Sequence, residues 1–286
     1  MAKLQAAAAA GQSLLMRAYE DAFAAHGLSV AQVLVTHADF ADRRRANNAR
    51  AALFELVQVG AIPILNENDS VSTEEIKFGD NDELSAMIAP LVDADLLVLL
   101  SDIDGLLDTK QKRVPVVNDI EKEARSLVTM KKSDVGTGGM QSKLEAARRA
   151  TLSGAHVVIA NAKEDDVLAR ICAGEDIGTL FVPPSKRLRA KHHWIAFTLR
   201  PRGDLILDAG AEAALHQGKS LLSVGVRSLR GDFHEGDAVR VISRGGDEIG
   251  RGLVRVDAAR ALGIVGRPSE EVDPVVIIHR DELVVW

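Results

Sequence analysis

Leu96-Leu97-Val98-Leu99-Leu100-Ser101-Asp102-Ile103-Asp104-Gly105 is the stretch on which the fold turns. The aliphatic run shows no polar alternation and is too short for an independent helix. Ended by Ser, two Asp and a Gly, it reads as a strand buried on both faces that exits into a polar turn. Comparable runs lie at Val30 to Thr36, Ile62 to Leu65, His156 to Ala160 and Thr179 to Val182. Between them, apolar residues recur at helical spacing. Gln12 to Ala25 (Leu14, Leu15, Ala18, Ala22), Asn47 to Val59, Glu83 to Leu91, Gly139 to Leu152 and Asp165 to Ala173 all read as helices. Aliphatic strands between amphipathic helices predict an α/β fold, with a mainly parallel sheet sandwiched by helices.

Pro183-Pro184-Ser185-Lys186 ends this pattern, and a charged stretch runs on to Lys191. That is linker composition. The division expected is 1–183 for the α/β domain, 184–193 for the linker and 194–286 for a second domain. In the second part, Trp194 to Leu199, Val224 to Leu229, Ala238 to Ile242, Gly250 to Val256 and Val275 to His279 read as short strands. Gly- and Asp-rich turns separate them, and helical segments lie near Gly210 to Gln217 and Asp257 to Leu262. The expectation is a small, mostly β, partly closed barrel.

The chain has 286 residues, of which 47% are hydrophobic and 27% charged, so it can bury a large core and is not a disordered chain. No run approaches the roughly 18 apolar residues of a membrane span, since Asp93 and Asp95 interrupt the apolar stretch from Leu91 to Leu100. The N-terminus reads as mature sequence, and the chain as cytoplasmic. Cys172, the single cysteine, excludes an intramolecular disulfide and cysteine-rich zinc sites, and its place in a helical pattern reads as core. The eight histidines show no metal-binding spacing, so no protein metal site is expected. Net charge is −6. From Lys186 onward 16 Lys and Arg face 14 Asp and Glu, a local net of +2. This argues against bulk nucleic-acid binding by the whole chain and leaves room for a small module at its end.

In open α/β sheets, ligands sit beyond the carboxyl ends of the strands. After Leu65 comes Asn66-Glu67-Asn68-Asp69, and soon after Gly79-Asp80-Asn81-Asp82. Asn and Asp serve turns and helix caps, and Asn81 or Asp82 suits a cap for the helix beginning near Glu83. The same side chains suit a small ligand bearing an ammonium and a carboxylate, and both readings stay open. Ser101-Asp102-Ile103-Asp104 suits contact with a nucleotide or a capped turn. Gly136-Thr137-Gly138-Gly139-Met140-Gln141-Ser142-Lys143 is the strongest signal. Its glycines let backbone N–H groups approach a ligand, the helix start favours anions, and Lys143 lies one turn in. It is not a Walker A loop, because Leu144 follows Lys143.

The segment from Asn66 to Ser85 resembles the substrate-binding segment of the glutamate 5-kinase family, a branch of the amino acid kinases. Leu97 to Leu106 and Gly136 to Lys143 resemble that family's nucleotide-binding segments. The part from Trp194 on, with Gly236-Asp237-Ala238-Val239-Arg240-Val241, resembles the PUA domain that many bacterial members carry. The resemblance implies transfer of the ATP γ-phosphoryl to the γ-carboxylate of L-glutamate, the first step of proline synthesis. It implies that Asp69 and Asn81 bind glutamate. Ser101 and Asp102, with Thr137, Gly138, Gly139, Met140, Gln141, Ser142 and Lys143, would bind ATP. Lys143 would stabilise the phosphoryl group in flight, and Asp82 would orient the catalytic lysines. Mg²⁺ would be held mainly by the phosphates and water. Proline would inhibit at the loop from Asn66 to Asp80, and a homo-oligomer is implied.

The family begins with a strand and a Lys-x-Gly-[Ser/Thr] turn, followed by a strand and a Ser-Gly-Ala turn. This sequence shows neither, so the resemblance implies an N-terminally shortened kinase domain lacking central strands and a second phosphate-contacting lysine. Two other readings stand beside it. One is a catalytically silent RNA-binding or regulatory protein that acts through the PUA-like part. The other is a kinase for acetylglutamate or aspartate, which the paired Asn/Asp segments and the PUA-like part disfavour.

Overall fold

The computed structural model describes residues 2–71, 80–125, 127, 139–185, 187–267, 270, 273 and 276–286, with Asp80 by its backbone alone. Contacts divide the chain into two compact units, Met1–Leu188 and Arg189–Trp286.

The first unit opens with α1 (Ala2–Ala24), whose alanine run loses no side-chain entropy on becoming helical. β1 (Ser29–Val35) follows, then α2 (His37–Ala41), α3 (Arg43–Gln58) and β2 (Ala61–Glu67). Local chemistry sets these boundaries. The Asp39 carboxylate accepts from the Thr36 backbone and hydroxyl at 2.8 and 2.7 Å, closing a capping box over α2. Asp42 caps α3 by accepting from Arg44 and Arg45 N–H. β1 and β2 pair in parallel, from Ser29 opposite Ala61 to Val35 opposite Glu67.

Next come α4 (Asp80–Leu91), β3 (Leu96–Ser101), β4 (Val116–Val117) and a π-helical turn (Ile120–Ala124). α5 (Met140–Ser153), β5 (His156–Asn161), α6 (Val167–Cys172) and β6 (Thr179–Phe181) complete the unit. The four strands lie in the order β3-β5-β6-β4. β3 pairs with β5 in parallel and β4 with β6 in parallel, whereas β5 and β6 run antiparallel. The α/β fold with a mainly parallel sheet is as the sequence predicts, with one antiparallel pairing added. The alanines of α5 (Ala146, Ala147, Ala150) let that helix close onto Leu99, Val157, Ile159 and Phe181. On the other face, Val167 of α6 packs on Val158 and Ala160.

Three sequence expectations change here. Ile62 to Leu65 is half-buried, and Leu96 and Leu100 at the ends of the β3 run are 36% and 42% exposed. β3 is an edge of its sheet, and an edge strand is covered less completely than a central one. Cys172 is exposed rather than core. α6 turns Val167 and, one turn on, Ile171 inward, so the next residue points away. Finally, α4 begins at Asp80, which places Asn81 and Asp82 inside its first turn rather than at its cap.

The second unit contains α7 (Ala190–His193), a π-helical turn (Trp194–Thr198), β7 (Gly203–Leu207), α8 (Ala209–His216), β8 (Leu221–Leu222) and β9 (Val226–Gly231). β10 (Ala238–Ile242), β11 (Glu248–Leu253), α9 (Ala258–Ile264), β12 (Val276–Ile278) and β13 (Leu283–Val285) follow. Among the described residues these make a five-stranded sheet in the order β13-β11-β10-β7-β9 and a two-stranded sheet of β12 and β8. Leu205, Leu207, Val226, Phe233, Val239, Val241, Ile277 and Ile278 form the core. The stretch predicted as a strand at Trp194 to Leu199 is the π-helical turn, and Ala190–His193 within the predicted linker is helical. A short apolar run does not distinguish strand from helix, and tertiary contacts decide here. Arg251 donates to the Ala196 carbonyl at 2.8 Å, and Phe197 lies between the His193 and Trp286 rings.

Candidate active site

The strand ends and helix starts singled out in the sequence supply the groups of the site. Asp82 lies in the first turn of α4, and Ser142 and Lys143 lie in the first turn of α5. The two helices pack against each other, which brings these residues together. Lys143 Nζ stands 3.0 Å from Asp82 Oδ2 and 3.3 Å from Oδ1. Ser142 Oγ donates to the same Oδ2 at 2.8 Å. The Lys143 and Asp82 side chains are each only 14% exposed, so solvent screens the pair weakly. Gly139, the residue before α5, has no side chain to cap the helix. The first N–H groups of α5 and the Lys143 ammonium therefore lie at one helix start, an arrangement suited to a polyanion. Met140 is half-buried and Gln141 exposed in the same turn.

A further ion-pair layer braces the pairing of α4 with α5. Arg149 of α5 contacts Glu83 of α4 at 2.9 Å and Glu145 at 3.1 Å. Burial works to lower the Arg149 pKa, but the two carboxylates outweigh it and hold the guanidinium above its ordinary value.

Ser101 and Asp102 sit where β3 ends, with Ser101 Oγ donating to Asp102 Oδ1 at 3.2 Å. β5 ends beside them, Ser101 opposite Asn161, and Ala162 N–H bonds the Ser101 carbonyl at 2.7 Å. Asn161 Nδ2 in turn donates to Asp104 Oδ1 at 2.7 Å. The turn carrying Asp102 and Asp104 is fixed from below by Thr179, a fully buried residue. Its hydroxyl accepts from Leu106 N–H at 2.8 Å and donates to the Val114 carbonyl at 2.7 Å. Gly105 makes the crossing possible. It has a φ of 131°, and a Cβ there would stand 2.5 Å from the Thr179 hydroxyl. A cleft of about 330 Å³ adjoins this turn, lined by Asp104, Arg113, Asn161 and Arg170 among others.

At the end of β2, Asn68 N–H bonds the Val35 carbonyl of β1 at 2.8 Å, and Val71 N–H turns back to Asn68. Asp69 is half-buried in this turn, and Asn81 is exposed at the start of α4. Thr137, Gly138 and all of the loop between Val71 and Asp80 lie outside the described residues. Of the predicted residues, the structure thus joins Asp82, Ser142 and Lys143 directly, and Ser101 with Asp102. Sequence reasoning missed Asn161 and Thr179. Asn161 carried a signal of the same kind as Ser101, a polar residue directly after an aliphatic strand. Thr179 carried none, because its partners are distant in sequence.

Two family models match the chain, the amino acid kinase family over residues 1–161 and the PUA domain over residues 203–276. The chain is 46% identical to the glutamate 5-kinase of Stutzerimonas stutzeri (strain A1501), covering 99% of this chain and 80% of that protein. It is 44% identical to the glutamate 5-kinase of Pseudomonas aeruginosa (strain UCBPP-PA14), over all of this chain and 80% of that protein. Against the glutamate 5-kinase of Azoarcus sp. (strain BH72) the identity is 45%, with the same coverage of both.

Proposed function

The chain belongs to the amino acid kinase family, among the glutamate 5-kinases with a PUA domain, and we propose that the Asp82–Ser142–Lys143 cluster is where it performs that chemistry. The reaction moves the γ-phosphoryl group of ATP to the γ-carboxylate of L-glutamate, forming an acyl phosphate and ADP. Phosphoryl transfer demands positioning and charge stabilisation more than covalent catalysis. The geometry of Lys143 supports its role best. Its ammonium is held between 3.0 and 3.3 Å from both oxygens of one weakly exposed carboxylate, at the start of an uncapped helix. Asp82 positions the ammonium, and Lys143 neutralises charge on the transferring group.

The ATP phosphates would lie on the first turn of α5, at Gly139 to Lys143, with Thr137 and Gly138 preceding it. Ser101 and Asp102 would face the nucleotide. Among the described residues no group of three or more His, Cys, Asp or Glu is arranged to hold a metal ion. Mg²⁺ would be carried mainly by the phosphates and water, where it would supply charge neutralisation. Asp69 would meet the glutamate ammonium and Asn81 a carboxylate. Proline would compete at the loop that begins at Asn66.

Residues 1–183 would form the catalytic domain, with 184–193 as linker. α1 exposes Leu4, Leu14, Leu15 and Tyr19, which supports self-association through the first unit. Among the described residues no helix is long and apolar enough to cross a membrane, in line with a cytoplasmic enzyme.

The test is Lys143→Ala, assayed by trapping the acyl phosphate with hydroxylamine. Turnover should fall about 10²- to 10³-fold with little change in glutamate KM. Unchanged turnover would remove Lys143 from the mechanism.

A second reading concerns the PUA domain. The Arg202, Arg227 and Arg230 side chains, around β7 and the edge strand β9, form no ion pair among the described residues. They would offer RNA a phosphate-binding edge. A structured RNA should bind at low salt and dissociate as salt rises, and no binding at low salt would refute this reading.

A further inference from the structure

Gln12 of α1 reaches the end of β2 and carries a polar group that has no hydrogen-bond partner among the described residues. The Asn66 amide is oriented first. Its Oδ1 accepts from Glu67 N–H at 3.0 Å, so its Nδ2 must serve as the donor end. Nδ2 donates to Gln12 Oε1 at 3.0 Å. That contact orients the second amide as well. Gln12 Oε1 faces Asn66, and flipping the group would set two NH₂ donors against each other. Gln12 Nε2 is therefore turned away from Asn66. It is buried and has no hydrogen-bond partner among the described residues.

A buried NH₂ without an acceptor costs free energy. The other end of the same amide, Oε1, holds Asn66, the first residue of Asn66-Glu67-Asn68-Asp69, the segment read above as part of the amino-acid site. An amide NH₂ repels an ammonium and gains nothing from an aliphatic chain, but it pairs with a carboxylate, an acceptor with several lone-pair sites. The inward-facing stripe of α1 (Gln5, Ala8, Gln12, Met16) sets this position against the body of the unit.

We infer that Gln12 Nε2 donates a hydrogen bond to a carboxylate oxygen of the bound glutamate. Its Oε1 meanwhile holds Asn66, and with it the start of the substrate segment. The inference rests on the reading of residues 66–69 given above. It makes Gln12 a specificity residue contributed by α1, far in sequence from the Asn/Asp segments.

The experiment compares L-glutamate and ATP binding by calorimetry, with melting temperatures, in wild type, Gln12→Glu and Gln12→Met. Gln12→Glu keeps an acceptor for Asn66 at nearly unchanged volume but replaces the free donor with an oxygen. Its Kd for glutamate should rise at least tenfold near pH 7.5, with ATP affinity within about threefold of wild type. As the pH falls toward 5, protonation of the new carboxyl restores a donor, so its glutamate affinity should recover relative to wild type. Gln12→Met, which titrates nothing, should stay weak throughout. Replacing glutamate by its α-amide or by glutamine in the wild-type titration identifies the carboxylate concerned, as the one whose loss removes the Gln12 effect.

If wild type binds glutamate and Gln12→Glu binds it within twofold, the inference fails and the site reading stands. If both variants lose ATP and glutamate affinity equally along with several degrees of melting temperature, Gln12 is a packing residue and the inference fails. If wild type binds no glutamate, the site reading fails and takes the inference with it.

Discussion

Separating Asp82 from Lys143 is the perturbation whose magnitude the structure bounds most closely. At an effective dielectric of about 20, unit charges 3.0 Å apart attract by roughly 5–6 kcal/mol. Both side chains are 14% exposed, so withdrawing them from water cancels much of that gain. Ser142 remains as a donor to Asp82 when Lys143 is removed. A net coupling of about 1–3 kcal/mol is the expectation, typical of charge-assisted hydrogen bonds. It is measured by urea unfolding of wild type, Asp82→Ala, Lys143→Ala and the double variant, combined as a double-mutant cycle. Each single variant leaves one poorly solvated charge unpaired and should destabilise the first unit. The double variant should be less destabilised than the sum of the two. In parallel, Asp82→Ala should lower turnover by about 10²-fold, because the ammonium is no longer aimed. A coupling within about 0.3 kcal/mol of zero, together with wild-type turnover in Asp82→Ala, would refute the positioning argument.

Asp69→Ala should raise the glutamate KM about 10- to 100-fold with a smaller effect on turnover, read from substrate saturation curves. Thr179→Val removes the hydroxyl that Leu106 N–H and the Val114 carbonyl share, leaving both without that partner. It should destabilise the first unit by about 1–3 kcal/mol in chemical denaturation and weaken ATP binding by loosening the Asp102–Asp104 turn. Glu282 should make the second unit acid-sensitive. Burial works to raise its pKa, but Lys191 at 3.1 Å and Arg255 at 3.4 Å hold it below the ordinary glutamate value. Such a group binds fewer protons folded than unfolded. Its stabilisation is present above the unfolded pKa of about 4.3 and is lost as pH falls through the lower folded value. Melting curves from pH 6 to 3 should show that loss, and Glu282→Gln should flatten it.

The arrangement legible in the sequence is the part governed by local periodicity. Unbroken aliphatic runs such as Leu96 to Leu100 and Val157 to Ala160 announce their strands, because a strand needs only its neighbours to declare which faces are apolar. Caps and turns declare themselves for the same reason. Thr36 with Asp39, and Asp42 before α3, act within three residues of themselves. The Asn and Asp residues after β2 also mark the end of their strand in advance, since turn chemistry is local.

What sequence order does not encode is which distant surfaces meet. The antiparallel pairing of β6 with β5 is set by which strands meet in the sheet, and the exposure of Leu96 and Leu100 by β3 lying at its edge. Trp194 to Thr198 became a π-helical turn because Arg251 and Trp286 meet it there. The chemistry shows the division most clearly. The residue types Asp82, Lys143, Gln12 and Asn66 are written in the chain. Yet Asp82 and Lys143 stand 61 positions apart, and Gln12 and Asn66 stand 54 apart. Each pair becomes one chemical unit only when helix packing closes the gap. That closure depends on side-chain volumes summed over whole elements, a quantity no local window of sequence contains.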